Sequence, residues 1–251
     1  MMRPSTLCWI ALLGTLLAAC TTTYPYVAGE HRGWRDVALP PASERTYQVF
    51  LLGDAGAAAP DSAVLGLLRR RLAEADANSA VVFLGDNVYP GGLPDSAAAE
   101  RAASERSLSA LIDVLQTYKG RVVFIPGERD WHQGALDGLE AVNRQEAFIE
   151  DRLDKNVFRP DDGFPGPDEI KLTDDLRLVV LDTQWWLHPY DKAHGDAGDY
   201  DIDEDADFFL QLDDLIKKND DRHLLVVGHH ALFTNGRHGG FFSWRDHLFP
   251  L

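Results

Sequence analysis

What most narrows the fold of this chain is a pattern it repeats: a short apolar run, a glycine, then polar chemistry. Residues 47–52, 80–84, 121–125 and 223–227 are rich in Val, Leu, Ile and Phe and have strand length. They lead into Gly53-Asp54-Ala55-Gly56, Gly85-Asp86-Asn87-Val88-Tyr89, Gly127-Glu128-Arg129-Asp130-Trp131 and Gly228-His229-His230. Between the runs the spacing changes to that of helices. Val64, Leu67, Leu68 and Leu72 share one helical face, as do Leu108, Leu111, Ile112 and Leu115. The spacing predicts helices over 61–76, 96–118, 136–153 and 208–218, and a hairpin pairing 169–172 with 176–181. Strand, turn and helix in alternation predict an α/β layered fold, with 47–52 as a buried strand. No internal repeat is present.

In such folds, functional side chains gather beyond the carboxyl ends of the strands. A carboxylate or imidazole one residue past a strand enters the crevice at the sheet edge, and the glycine beside it lets a ligand or another loop approach closely. Converging carboxylate, phenol and imidazole groups suit a hard or borderline cation. A single Gly-Asp after a strand is only a turn. Four such endings in one context point to a shared pocket.

Gly53-Asp54, Gly85-Asp86-Asn87, the Gly127 turn and Gly228-His229 together resemble the ordered motifs of the calcineurin-like metallophosphoesterases, over residues 49–240. Gly-Asp-x-Gly at 53–56, with Tyr89 three residues after Asp86, is similar to the purple acid phosphatase branch. The resemblance implies an α/β metallophosphoesterase-like β-sandwich flanked by helices. It implies a phosphatase or phosphodiesterase acting on a phosphorylated small molecule with two metal ions and metal-activated water. Asp54 and Tyr89 would bind the first metal, Asp86 would bridge both, and His229 would bind the second. Tyr89 hints at iron, paired with zinc, manganese or a second iron. His238, in Asn235-Gly236-Arg237-His238-Gly239-Gly240, would protonate the leaving group; the alternative is a loop histidine between glycines. For His230 a role in packing or in supporting the ligands from behind is expected.

The chain departs from the family in two places. Where Gly-Asn-His is usual it reads Gly127-Glu128-Arg129. Glu128 can still offer a metal an oxygen. Arg129 cannot act as a general acid, but its guanidinium can hold a phosphate oxygen and stabilise transition-state charge. The alternative is a decayed site, in which Glu128 and Arg129 form an ion pair and the fold serves binding or scaffolding. In addition, the family's closing Gly-His-x-His has no counterpart, since only His247 follows His238. The chain is therefore expected to be a fragment, incomplete at its C-terminal ligand segment.

Charge limits the partners. With 24 basic and 40 acidic residues the formal net charge is −16, which repels nucleic acid backbones. Residues 7–19 form an apolar run behind Arg3, too short for a comfortable membrane span but suited to a signal-peptide core. The run ends in Leu17-Ala18-Ala19-Cys20, which resembles a bacterial lipobox. A signal peptide over 1–19, a lipid anchor at Cys20, a tether over 20–45 and a catalytic domain over 46–251 are expected. The implied location is the outer membrane, facing the periplasm. Cys8 lies within the removed segment, so the body offers no disulfide framework. Asp199, Asp201, Asp203, Asp205 and Asp207 lack the offsets of a calcium loop and are expected to lead, solvated, into the following helix. Trp185 and Trp186 are candidates for a crevice wall, with core packing expected of at least one.

Overall fold

A computed structural model describes residues 46–197 and 200–231. The apolar run, Cys20, the tether, His238 and His247 lie outside them.

The first sheet is parallel, ordered β1 (Gln48–Leu52), β2 (Ser79–Phe83), β3 (Arg121–Phe124). β2 is buried along its whole length. A central parallel strand covered on both faces has no polar side to alternate with, hence its unbroken apolar run. β1 corrects an expectation: it is an edge strand only half covered, with Leu51 52% exposed.

Helices α1 (Ala63–Glu74) and α2 (Arg101–Asp113) connect these strands. The Ser62 hydroxyl accepts the Leu65 N–H and caps α1, which buries Leu65, Leu68 and Leu72. α2 is shorter than the predicted 96–118. The Asp95 carboxylate takes the Ala97 N–H in a turn, and Arg101 reaches back to the Pro94 carbonyl, so the helix begins only at Arg101. α3 (Gly138–Leu153) follows β3 and buries Ala141, Val142 and Ile149.

The second sheet is β4 (Asp168–Lys171), β5 (Leu176–Val180) and β8 (His223–Val227), in that order. β4 and β5 form the predicted antiparallel pair, while β8 runs parallel to β5. Between β5 and β8 lie α4 (Gln184–Leu187), an antiparallel pair β6 (Gly195–Ala197) and β7 (Tyr200–Ile202), and α5 (Asp205–Lys218). The acidic stretch supplies the start of α5. Glu204 and Asp207 form a reciprocal capping box there, and Asp207 also accepts the Asp203 N–H.

Side-chain alternation along β2 and β3 feeds two apolar clusters. Val81, Phe83 and Phe124 join Leu65, Leu108 and Trp131 on the helical side, where the Phe83 and Phe124 rings stack at 4.2 Å. Val82, Val123 and Ile125 instead join Ile170, Leu178, Val180 and Val227 of the second sheet. Each such fully buried side chain contributes about 1.5–3 kcal/mol. The architecture is α/β with two small sheets. Among the described residues no helix is long and apolar enough to cross a membrane.

Candidate metal centre

Parallel pairing brings the ends of β1, β2 and β3 to one edge, and three chain reversals stack there. Asp54 and Asp86 both sit in left-handed backbone, at φ 56° and 54°, which aspartate tolerates better than most residues. The Asp54 N–H donates to the Gly85 carbonyl, and the Gly56 N–H to the Asp86 carbonyl. Glycines make the stacking possible, two of them beside His229. A Cβ on Gly127 would stand 2.6 Å from the Asp86 nitrogen and 2.8 Å from His229 Nδ1. One on Gly85, whose φ is 90°, would stand 2.8 Å from the same Nδ1 and 2.9 Å from the Gly127 Cα.

Asp54, Asp86 and His229 each offer a ligand atom within 4.8 Å of the other two. This grouping can hold a metal ion. Asp86 is 4% exposed, and a buried carboxylate needs partners. Its Oδ1 accepts the Arg129 backbone N–H at 2.8 Å and lies 3.5 Å from His229 Nε2. Its Oδ2 takes the Tyr89 hydroxyl at 3.0 Å, with the Arg129 Nε 3.8 Å away. The same phenol lies 3.3 Å from Asp54 Oδ1. Burial, then the Asp86 and Asp54 charges, hold the Tyr89 phenol well above its ordinary pKa.

His229 is oriented from behind. Its Nδ1 lies 2.8 Å from the Leu84 carbonyl, an acceptor, so Nδ1 carries the proton in that bond. In the neutral ring Nε2 then presents its lone pair toward Asp86, the tautomer a metal-binding imidazole requires. His230 turns away, as expected: its Nδ1 pairs with the Thr183 hydroxyl at 2.8 Å, tying the end of β8 to that of β5.

Asp130 braces the loops and is fully buried. Its carboxylate accepts the backbone N–H groups of Asn87, Val88 and Gly127, and the Asn87 side-chain amide. Burial pushes its carboxyl up to about 7, with the Asp86 charge adding. Asp182, equally buried, accepts the Trp131 indole N–H at 2.7 Å and the Gln184 backbone N–H. Burial pushes it, too, up to about 7.

Asp54, Asp86, Tyr89 and His229 thus meet in one place. Glu128 is half-buried in the same turn, but its carboxylate is not among the three grouped ligands. Arg129 does not pair with Glu128; it turns to Asp86, with its guanidinium carbon 5.3 Å from the centre of the Tyr89 ring and Nη1 3.4 Å from the Pro90 carbonyl. Trp185 is core, and Trp186 packs edge-on against Phe208.

A second acidic group, Glu146, Glu150 and Asp161, also brings three ligand atoms within 4.8 Å of one another. It serves the backbone: Glu146 accepts the Asp162 N–H, and Glu150 those of Val157 and Phe158. The Glu146 and Glu150 pair has readable i, i+4 spacing, whereas Asp161 arrives by a loop that spacing does not reveal.

Compared with models of known protein families, with curated proteins and with solved structures, the chain matched none. The fold and site define an α/β protein with a candidate metal centre at the carboxyl ends of its strands.

Proposed function

We propose that this chain is a metal-dependent phosphoester hydrolase, built as a metallophosphoesterase-like layered sandwich. The observation carrying the proposal is the convergence of Asp54, Asp86 and His229, with the Tyr89 hydroxyl on both carboxylates. The apolar cluster shared by the two sheets supports the fold reading.

The donors fit a cation: two carboxylates, a phenol, and an imidazole with its second nitrogen already engaged. Bound cations supply charge neutralisation for phosphate oxygens and lower the pKa of water. Asp86, within reach of both Tyr89 and His229, would be the carboxylate shared by two ions. Arg129 offers guanidinium N–H groups beside it, where they can orient a phosphoryl oxygen. The substrate class is a phosphorylated small molecule, since the acidic chain disfavours nucleic acid.

One observation favours a second reading. The Arg129 cation already stands beside Asp86 Oδ2 and its Nε is buried with no hydrogen-bond partner, so one metal ion with Arg129 in place of the other would also balance the site. Metal analysis of the purified chain separates the two readings, by two ions per chain or one. Turnover of an aryl phosphate tests both, and Asp86→Ala is expected to lose metal and turnover together. Turnover that survives in that variant would refute the site.

We also propose export and lipid anchoring at Cys20, on the lipobox-like 17–20 pattern, with an outer-membrane location facing the periplasm. Labelling with a fatty acid, abolished in Cys20→Ser, is the test.

A further inference from the structure

The opposite edge of the sheets has its own chemistry. A cavity of about 550 Å³ opens at the amino ends of β1, β2 and β3 and the carboxyl end of β4. Lys119, Arg121, Lys155 and Lys171 line it, with Asn78 and Tyr47 between them. Among the described residues no carboxylate lines it. In a chain carrying 40 acids against 24 bases, gathering four cations without an acid is a marked local reversal of charge. Lys171 pairs with Asp174 at 2.6 Å. Lys119, Arg121 and Lys155 make no ion pair among the described residues.

The backbone explains the gathering. Lys119 and Arg121 flank Gly120, at the turn entering β3. Lys155 follows Asp154, whose left-handed backbone ends α3 and brings the chain back beside β3. Lys171 comes from the second sheet. With β2 five residues long, at about 3.3 Å each, this edge stands roughly 15 Å from the candidate metal centre. One phosphate cannot span that gap.

We propose that this cavity binds a phosphate-bearing anion, independently of the metal centre. Arg121 supplies a planar fork suited to two phosphate oxygens, and the lysines supply point charges around it. Asn78 adds an amide donor. Phosphate on a soluble molecule and phosphate in a lipid headgroup share this chemistry, so both sources are tested.

The whole chain, stripped with EDTA, is titrated with inorganic pyrophosphate by calorimetry, and sedimented with phosphatidylglycerol or phosphatidylcholine vesicles. Arg121→Ala/Lys155→Ala is expected to weaken binding about tenfold or more, and added salt to weaken it further. Lys119→Gln, at an exposed position, is a milder second variant whose fold circular dichroism checks. Asp86→Ala should bind pyrophosphate as the parent does. Variant-sensitive binding of pyrophosphate alone identifies a soluble ligand; variant-sensitive binding of phosphatidylglycerol vesicles alone identifies a headgroup. Binding of neither probe, binding indifferent to the basic substitutions, or binding lost only in Asp86→Ala overturns the proposal.

Discussion

Arg129 meets Asp86 twice: its backbone N–H donates to Oδ1 at 2.8 Å, and its Nε stands 3.8 Å from Oδ2. The first contact belongs to the main chain and survives any substitution except proline. The second belongs to the guanidinium, which makes no hydrogen bond there, and Asp86 keeps the Tyr89 hydroxyl and the Arg129 N–H without it, so its loss costs little stability. Arg129→Ala is therefore expected to melt close to the parent temperature while kcat for an aryl phosphate falls by roughly 10²–10³. Thermal melts beside steady-state kinetics check this, and an unchanged kcat would remove Arg129 from the chemistry. Metal content rising from one to two ions in the variant would instead mark Arg129 as the stand-in for a cation.

Tyr89 lies against both carboxylates. As a ligand to ferric iron its phenolate would give visible charge-transfer absorption. Iron-loaded parent protein is expected to show that band and Tyr89→Phe to lack it while keeping the fold. A band of equal intensity in Tyr89→Phe would exclude the phenol as a ligand.

Gly127 is the tight point at which the third turn meets Asp86 and His229. An added methyl would meet the Asp86 nitrogen at 2.6 Å and Oδ1 at 2.7 Å, leaving the loops no arrangement but to separate. Gly127→Ala is expected to cost about 1–3 kcal/mol and to weaken metal binding more than Gly53→Ala. At Gly53 the nearest neighbour of a new Cβ is at 3.5 Å. Chemical denaturation and metal titration of the two variants provide the comparison.

Two carboxyl groups away from the proposed ligands make stability depend on pH. Burial raises Asp182 to about 7 and Glu146 to about 8, against ordinary values near 4. The folded chain keeps protons that the unfolded chain releases between about pH 4 and 8. Their stabilising contribution is full below pH 4 and lost as pH rises through 7 and 8, by at most about 1.4 kcal/mol per unit for each proton. Asp182→Asn is expected to flatten this slope between about pH 4 and 7. Denaturation across that range measures it, and an identical slope in the variant would refute the assignment.

The alternation of strand and helix was legible because the periods of 2 and 3.6 separate cleanly at residues such as Val64, Leu68 and Leu72. The grouping of Asp54, Asp86, Tyr89 and His229 was legible because each follows a strand run and parallel pairing delivers those ends to one edge. The exposure of β1 was not, since an edge strand and a central strand share the same apolar composition. Nor were the roles of Asn87 and Asp130. Asn87 contacts the Ile125 carbonyl and Asp130, and Asp130 spends its carboxylate on backbone N–H groups, which leave no side-chain pattern. The basic cavity also escaped notice, because Lys119, Lys155 and Lys171 are far apart in sequence.

Asp130 holds three amide protons from two different turns, those of Asn87, Val88 and Gly127. Those turns share one anchor and are expected to open together. Their exchange with deuterated solvent is expected to be coupled, and a cation held at Asp86 would be felt across the tips of both β2 and β3.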